Sequence, residues 1–298
     1  MLPSRPVKKV VVVFNPISGR GKSAAAAETA AAAFSKAGLV VDIRPTAAAG
    51  DACRFASELK ADVDAVACVG GDGTLNEIVR GLVLPIPIGL VPVGTANVVA
   101  RELGVPFSPS KAAAVLLGGR TRAIDVGRIG SGRFVAMTGV GFDGEIVKAI
   151  AKARKGPISQ LTYVRPSIAA LSAFKPRPLT LEVDGRLLPE TFFGVIVANT
   201  RCYGGHFSVA PDAVIDDGLL HYSAWTLPSK LQLIRYAIAA LLRRRSSAAR
   251  YGSGKRFRIL SADGSPVSVQ ADGDPAPDTP VEIEVSERSA QLFVPASR

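Results

Sequence analysis

The chain is short of the residues that most often announce a catalytic or metal centre. Two histidines, His206 and His221, are too few for a histidine-rich zinc site and give little support to a Ser-His-Asp triad. Three cysteines, Cys53, Cys68 and Cys202, fall in no metal-ligand spacing. An odd number without a signal sequence argues against a disulfide framework, so they read as core filler. No stretch reaches the roughly 18 uninterrupted apolar residues of a membrane-spanning helix. The apolar run 10–14, behind Lys8 and Lys9, is too short for the hydrophobic region of a secretion signal and suits a buried strand. These absences point to a cytoplasmic protein that folds without staples. Internal repeats are lacking too, and the alanine-rich stretch 24–37 simply favours helix.

What is present is a globular composition. Across 298 residues, 48% are hydrophobic and 20% charged, enough to bury a large core, and the length favours two domains over one. The net charge of +11 fits nucleic acid, an anionic membrane surface or phosphorylated ligands, with a merely solvated basic surface as the default.

The first half alternates strands and helices. Residues 9–14 read as a strand, 15–23 as a polar glycine loop, and 24–37 as a helix ended by Gly38. The loop ends Gly21-Lys22-Ser23 like a Walker A motif, but Pro16 stands where that motif needs glycine. A strand at 40–44 and a helix at 50–60 follow. A third strand, 65–69, runs into Gly70-Gly71-Asp72-Gly73-Thr74-Leu75-Asn76-Glu77, and a fourth, 87–91, into Pro92-Val93-Gly94-Thr95-Ala96-Asn97 and a helix at 98–103. Such alternation predicts a Rossmann-like, mostly parallel sheet whose ligands lie beyond the carboxyl ends of the strands. Glycines around Asp72 let backbone approach something large and charged. Backbone N–H groups at a helix start attract phosphate, and an aspartate among them makes sense chiefly with a cation between. A plain strand-to-helix turn is the competing explanation.

From residue 123 the texture changes to short apolar runs at 124–129, 134–138, 179–183, 192–198, 219–225, 257–260, 267–271 and 281–285. Many strands with few helices predict a β-sandwich. We therefore place an α/β nucleotide domain at 1–128 and a β-rich domain at 129–298, with the final strand free to return to the first. Two helices interrupt the second domain. One, 146–173, carries Lys148, Lys152, Arg154 and Lys155 near its start. The other, 231–242, is apolar and precedes Arg243, Arg244 and Arg245, with Arg250, Lys255, Arg256 and Arg258 beyond. It reads either as a surface for an anionic bilayer or as a buried helix with a solvated basic end.

Four segments together resemble the bacterial diacylglycerol kinase and lipid kinase family, related to sphingosine and ceramide kinases. They are Asn15-Pro16-Ile17-Ser18-Gly19, the segment from Gly70 to Glu77, the segment from Pro92 to Asn97, and Ala210-Pro211-Asp212-Ala213-Val214-Ile215-Asp216-Asp217-Gly218. The resemblance implies an N-terminal nucleotide domain, a C-terminal β-sandwich holding the lipid, ATP as phosphate donor and Mg2+. Its nucleotide contacts would be Asn15, Pro16, Ile17, Ser18, Gly19, Thr46, Gly70, Gly71, Asp72, Gly73, Thr74, Leu75, Asn76 and Thr95. It implies a structural magnesium held by the Asp217 carboxylate and the Val214 and Leu219 carbonyls, a donor set of oxygens suited to that cation. A hairpin turn is the other reading of Asp216-Asp217-Gly218.

A further family signature, Asp-Gly-Glu, stands here as Asp272-Gly273-Asp274. It makes Asp274 the general base for the lipid hydroxyl, or Asp272 in its place. Asp72 would polarise the hydroxyl or hold the magnesium that bridges the phosphates, with Asp125 in the same acidic network. Relatives carry an aspartate that helps hold this metal where the present chain has Val98. Asp143 and Glu145 would lie near the lipid entrance that the resemblance implies, where they could supply a carboxylate, but read first as members of a solvated loop.

The expected activity is transfer of the ATP γ-phosphate to a membrane-lipid hydroxyl, diacylglycerol giving phosphatidic acid, at the inner face of the cytoplasmic membrane. A ceramide or sphingoid acceptor is the first alternative, and a soluble metabolite kinase or nucleotide-sensing protein the second. Nucleic acid is not expected as a partner, because the basic cluster 243–258 has only Tyr251 and Phe257 for stacking. Oligomeric state stays open, a homodimer included.

Overall fold

A computed structural model describes residues 6–153 and 175–296. They form two compact units, one running up to Ile124 and resuming at Arg288, the other comprising Asp125–Glu287.

Unit 1 begins with β1 (Lys9–Phe14), α1 (Ser23–Lys36), β2 (Val40–Pro45) and α2 (Asp51–Ser57). It continues with β3 (Ala65–Gly70), α3 (Asp72–Gly81), β4 (Ile88–Pro92), α4 (Val98–Glu102) and α5 (Pro109–Leu117). Its strands lie parallel in the order β2-β1-β3-β4, with Val10 beside Ala65 and Val66 beside Ile88. Val10 to Val13 are wholly buried, as are Ala65 to Ala67, because helices cover both faces of a parallel sheet. α1 contributes Ala26, Ala27, Ala30, Ala31 and Phe34 at helical spacing. The sequence reading missed α5, although Ser108 at its N-cap and Pro109 in its first turn mark a helix start.

Unit 2 is a sandwich of antiparallel strands. β5 (Thr121–Ile129) leads in, followed by β6 (Gly132–Phe134), β7 (Met137–Val140), α6 (Phe142–Ala153), β8 (Leu179–Val183) and β9 (Arg186–Leu187). Next come β10 (Val195–Ala198), β11 (Cys202–Tyr203), β12 (Phe207–Ser208), β13 (Leu220–Trp225), α7 (Lys230–Leu241) and β14 (Ala249–Gly254). β15 (Arg256–Ser261), β16 (Val269–Ala271), β17 (Asp274–Ala276) and β18 (Val281–Phe293) complete the chain. One sheet runs β14-β13-β10-β7-β16-β17; facing it, β15 pairs with β8 and with the first part of β18. Val140, Val195, Val197 and Val269 from the first meet Leu181, Phe257, Ile259 and Ile283 from the second.

Three expected elements change. The run 134–138 is not one strand, because β6 ends at Phe134 and β7 starts at Met137. The last strand extends to Phe293, and its final residues pair in unit 1, Leu292 beside Ile88. The first helical insertion begins four residues earlier than expected, at Phe142, and its stretch 154–173 lies outside the described residues. Asp143 accordingly sits in the first turn of a helix, buried, and not in a solvated loop.

Candidate functional site

In unit 1 three loops at the carboxyl ends of β1, β3 and β4 are locked together by glycines. At Gly19 (φ 60°) a Cβ would lie 2.4 Å from the Val93 carbonyl oxygen. At Gly94 one would lie 2.4 Å from the Gly71 Cα. No larger residue fits either position without moving backbone. The N–H groups of Val93 and Gly94 both donate to the Gly70 carbonyl, at 3.0 and 3.2 Å. Asn15 folds its own loop, its Oδ1 accepting the Ile17 N–H at 3.1 Å and its carbonyl the Ser18 N–H at 2.9 Å. Thr46 stands at the same sheet end, its N–H donating to the Phe14 carbonyl at 2.9 Å.

The expected nucleotide residues thus divide. Asn15, Pro16, Ile17, Ser18, Gly19, Gly70, Gly71 and Thr95 lie at the ends of β1, β3 and β4, Thr46 follows β2, and Asp72 and Gly73 open α3. Thr74, Leu75 and Asn76 follow in α3 with their side chains buried. α3 starts at Asp72, which leaves the amides of its first turn without intrahelical acceptors and gives the loop a positive end. Beside Asp72 and Asn97 lies a cavity of about 10 Å³, room for one water. A larger open groove of about 470 Å³ runs from Lys22 past Pro92 and Gly94 to Phe107.

Asp72 has an environment the sequence did not announce. Its Oδ1 accepts the Val99 N–H at 3.2 Å, so it caps α4 from the first turn of α3. Burial raises its pKa above the usual carboxylate range, and the amides of Val98, Val99, Asp72 and Asn97 pull the other way. Among the described residues no three His, Cys, Asp or Glu side chains converge on a metal position. A cation beside Asp72 would draw its remaining oxygens from phosphate and water, which is how magnesium is usually bound.

In unit 2 the two acidic loops hang on one buried scaffold. Asp125, wholly buried, accepts the Gly218 N–H on Oδ2 at 2.7 Å and donates its own N–H to the Ile215 carbonyl at 2.8 Å. Its carboxylate therefore secures the loop 214–219. Within that loop Asp217 accepts the Leu219 N–H at 3.0 Å and meets His221 Nε2 at 2.9 Å, while the Val214 carbonyl accepts the Asp217 N–H at 3.4 Å. Two carbonyls and one carboxylate within six residues remain an all-oxygen donor set, compatible with magnesium.

Asp272 and Gly273 have φ of 49° and 88° and join β16 to β17 as an Asp-Gly hairpin turn. The Asp272 carboxylate accepts the N–H groups of Val135, Ala136 and Met137 at 2.6, 2.9 and 2.9 Å, which is why the strand expected there breaks. Asp274, first residue of β17, is exposed. The sequence reading missed the supporting residues. Asn199 donates to the carbonyls of Asp125 and Val135 at 2.7 and 3.0 Å. Gln270 bridges Asp143 Oδ2 at 2.6 Å and the Gly273 N–H at 2.8 Å. Their signal was a polar residue inside or just behind an apolar strand run.

The chain is similar to known proteins. The family model for the diacylglycerol kinase catalytic domain matches residues 9–129, and that for the YegS C-terminal NAD kinase beta sandwich-like domain matches 136–294. The chain is 31% identical over 300 residues to a diacylglycerol kinase of Mycobacterium tuberculosis (strain CDC 1551 / Oshkosh), covering 97% of this chain and 96% of the relative. It is 31% identical over 241 residues to the diacylglycerol kinase of Bacillus subtilis (strain 168), 79% of each. A crystal structure of a diacylglycerol kinase from Bacillus anthracis str. Sterne shares the fold, with TM-score 0.77 at 22% identity and 98% of each chain covered.

Proposed function

The chain belongs to the family of bacterial diacylglycerol and lipid kinases, and from that membership we propose that it transfers the γ-phosphate of ATP to a hydroxyl of a membrane lipid, diacylglycerol giving phosphatidic acid. The observation that carries this reading is the glycine-locked convergence of the loops at 15–19, 70–73 and 93–95, which gathers backbone around the start of α3.

In unit 1 those amides hold the phosphates in the manner of a helix-start anion site. In unit 2 Asp274 takes the proton of the lipid hydroxyl as it attacks in line. Asp272 is unsuited to that task, because three N–H groups stabilise its ionised form and fix it in place. Magnesium, when bound, neutralises charge on the β- and γ-phosphates, and Asp72 is the residue that would hold it. A second, structural magnesium would be held by Val214, Asp217 and Leu219. Asp125 supports that loop from behind. The enzyme works at the inner face of the cytoplasmic membrane.

The test is incubation with labelled ATP, magnesium and mixed micelles of diacylglycerol, or of ceramide, with product identification. Labelled phosphatidic acid supports the proposal. Labelled ceramide 1-phosphate alone moves the acceptor to a sphingoid lipid, and a labelled soluble metabolite with no labelled lipid sinks the lipid-kinase reading.

A further inference from the structure

α7 is apolar nearly all round, yet among the described residues only one of its faces is covered. Leu233, Tyr236 and Ala240, spaced to share a face, are buried. Tyr236 fixes the helix to unit 2, its hydroxyl hydrogen-bonded with Ser223 Oγ at 2.7 Å and its ring 5.5 Å from that of Trp225. On the opposite face stand Leu231, Ile234, Ile238 and Leu241, continued by Leu242 beyond the helix end. Leu231 is 64% exposed, Ile238 52% and Leu242 61%. An amphipathic helix would put polar residues there.

The charge along the chain on and around this helix is of one sign. From Thr226 to Ala262 the chain contains nine lysines and arginines and no aspartate or glutamate. Arg245 pairs with Asp212 and Arg250 with Glu190. Arg235, Arg243 and Arg244 are exposed beside the stripe and form no ion pair among the described residues. Arg243 is also held at φ 54° just beyond the helix, a left-handed position that glycine usually fills.

We propose that the outer face of α7 docks in the plane of an anionic lipid bilayer, its leucines and isoleucines entering the headgroup boundary and its arginines meeting lipid phosphates. Charge selects this occupant. A second copy would bring the same arginines against these, whereas an anionic leaflet offers both apolar depth and opposite charge. The inference gives the lipid-kinase reading its route to a membrane substrate, but its evidence is the surface alone.

The experiment compares wild type with Ile238→Glu and Arg243→Gly in sedimentation with vesicles of phosphatidylcholine, and of phosphatidylcholine with phosphatidylglycerol. Wild type is expected to bind the anionic vesicles at least tenfold more tightly than the neutral ones, and Ile238→Glu to lose at least tenfold. Arg243→Gly should bind more weakly while melting no lower, which separates docking from folding. Turnover of a water-soluble short-chain diacylglycerol should survive in Ile238→Glu, while turnover of vesicle-embedded substrate falls. Equal vesicle binding by wild type and Ile238→Glu overturns the proposal. So does a wild-type dimer that Ile238→Glu dissociates, which would make a second copy the occupant. So does an environment-sensitive dye at Ile238→Cys, with Cys53 and Cys202 replaced, that reports apolar surroundings before any vesicle is added, since the chain would then cover its own face. If the docking results hold while no lipid is phosphorylated, the kinase reading fails and the docking surface stands.

Discussion

Asp272 accepts three backbone N–H groups, while Asp274, two residues on, stands exposed at the start of β17. Removing each should therefore do different damage. Asp272→Ala strands donors at 135–137 and is expected to cost about 3 kcal/mol of stability in denaturant unfolding, whatever it does to turnover. Asp274→Asn should change stability by less than about 0.5 kcal/mol and lower turnover by about a hundredfold or more. A stable Asp272→Ala, or an active Asp274→Asn, reverses the two roles. The glycines divide in the same manner. A Cβ at Gly94 meets the Gly71 Cα, and Gly94→Ala should cost about 1–3 kcal/mol. A Cβ at Gly73 meets nothing within 4 Å. Gly73 lies in α3, where alanine is the better helix former, so Gly73→Ala should keep or raise the melting temperature. If the loop cradles phosphate, the same variant loses nucleotide affinity in calorimetry; unchanged affinity would make Gly73 a matter of geometry alone.

At the scale of elements, α6 and the β16–β17 hairpin are tied through a buried acid. Asp143 lies against Gln270, which holds the Gly273 N–H of the turn. Burial raises the Asp143 pKa above its ordinary 3.8, against the pull of hydrogen bonds from Tyr203 and Gln270. Its stabilising contribution is thus fully present below that pH and is lost as pH rises through the folded pKa. Asp143→Asn does not titrate, so wild-type stability minus variant stability should decline from about pH 4 upward, by at most about 1.4 kcal/mol per pH unit. A difference that stays flat from pH 4 to 8 would show that the carboxyl is not strained by burial. The elements themselves were largely legible from their apolar pattern: β1 and β3 begin where an apolar run starts, because strands covered on both faces must be apolar nearly throughout, and β8 begins where its alternation of buried and half-buried residues starts. The break at 135–136 was illegible, since its cause is a carboxylate 136 residues away. β18 was cut short in the reading by Ser286, Glu287 and Arg288, whose polarity hides a strand that continues through a left-handed kink at Arg288. The site followed the same rule. Loops rich in glycine and acid announced themselves, whereas Asn199 and Gln270, which hold those loops, look like ordinary polar residues until the fold places two carbonyls against Asn199, and the Gly273 N–H and the Asp143 carboxylate against Gln270.

At the scale of the molecule, the last strand is the test of which unit does what. β18 starts in unit 2, where Ile283 joins the sandwich core, and ends in unit 1, where Leu292 lies beside Ile88 and the Val294 N–H donates to the Arg120 carbonyl at 2.9 Å. Phe293 is 1% exposed. Phe293→Ala should cost about 3–5 kcal/mol, through lost burial and the cavity left behind. Because the residue belongs to unit 1, the loss should register there. Hydrogen exchange resolved by peptide is expected to accelerate in β1, β3 and β4 and to stay unchanged in β10 and β13. ATP bound at 100 times its Kd stabilises its host by about 2.7 kcal/mol, so nucleotide should restore much of the protection, and in the same peptides. Protection by ATP confined to β10 and β13 would move the nucleotide to unit 2 and end the assignment of the glycine-locked loops as its cradle. Protection confined to unit 1 would instead tie Phe293 and Leu292 to the stability of the glycine-rich turn at 70–73, more than 200 residues earlier in the sequence.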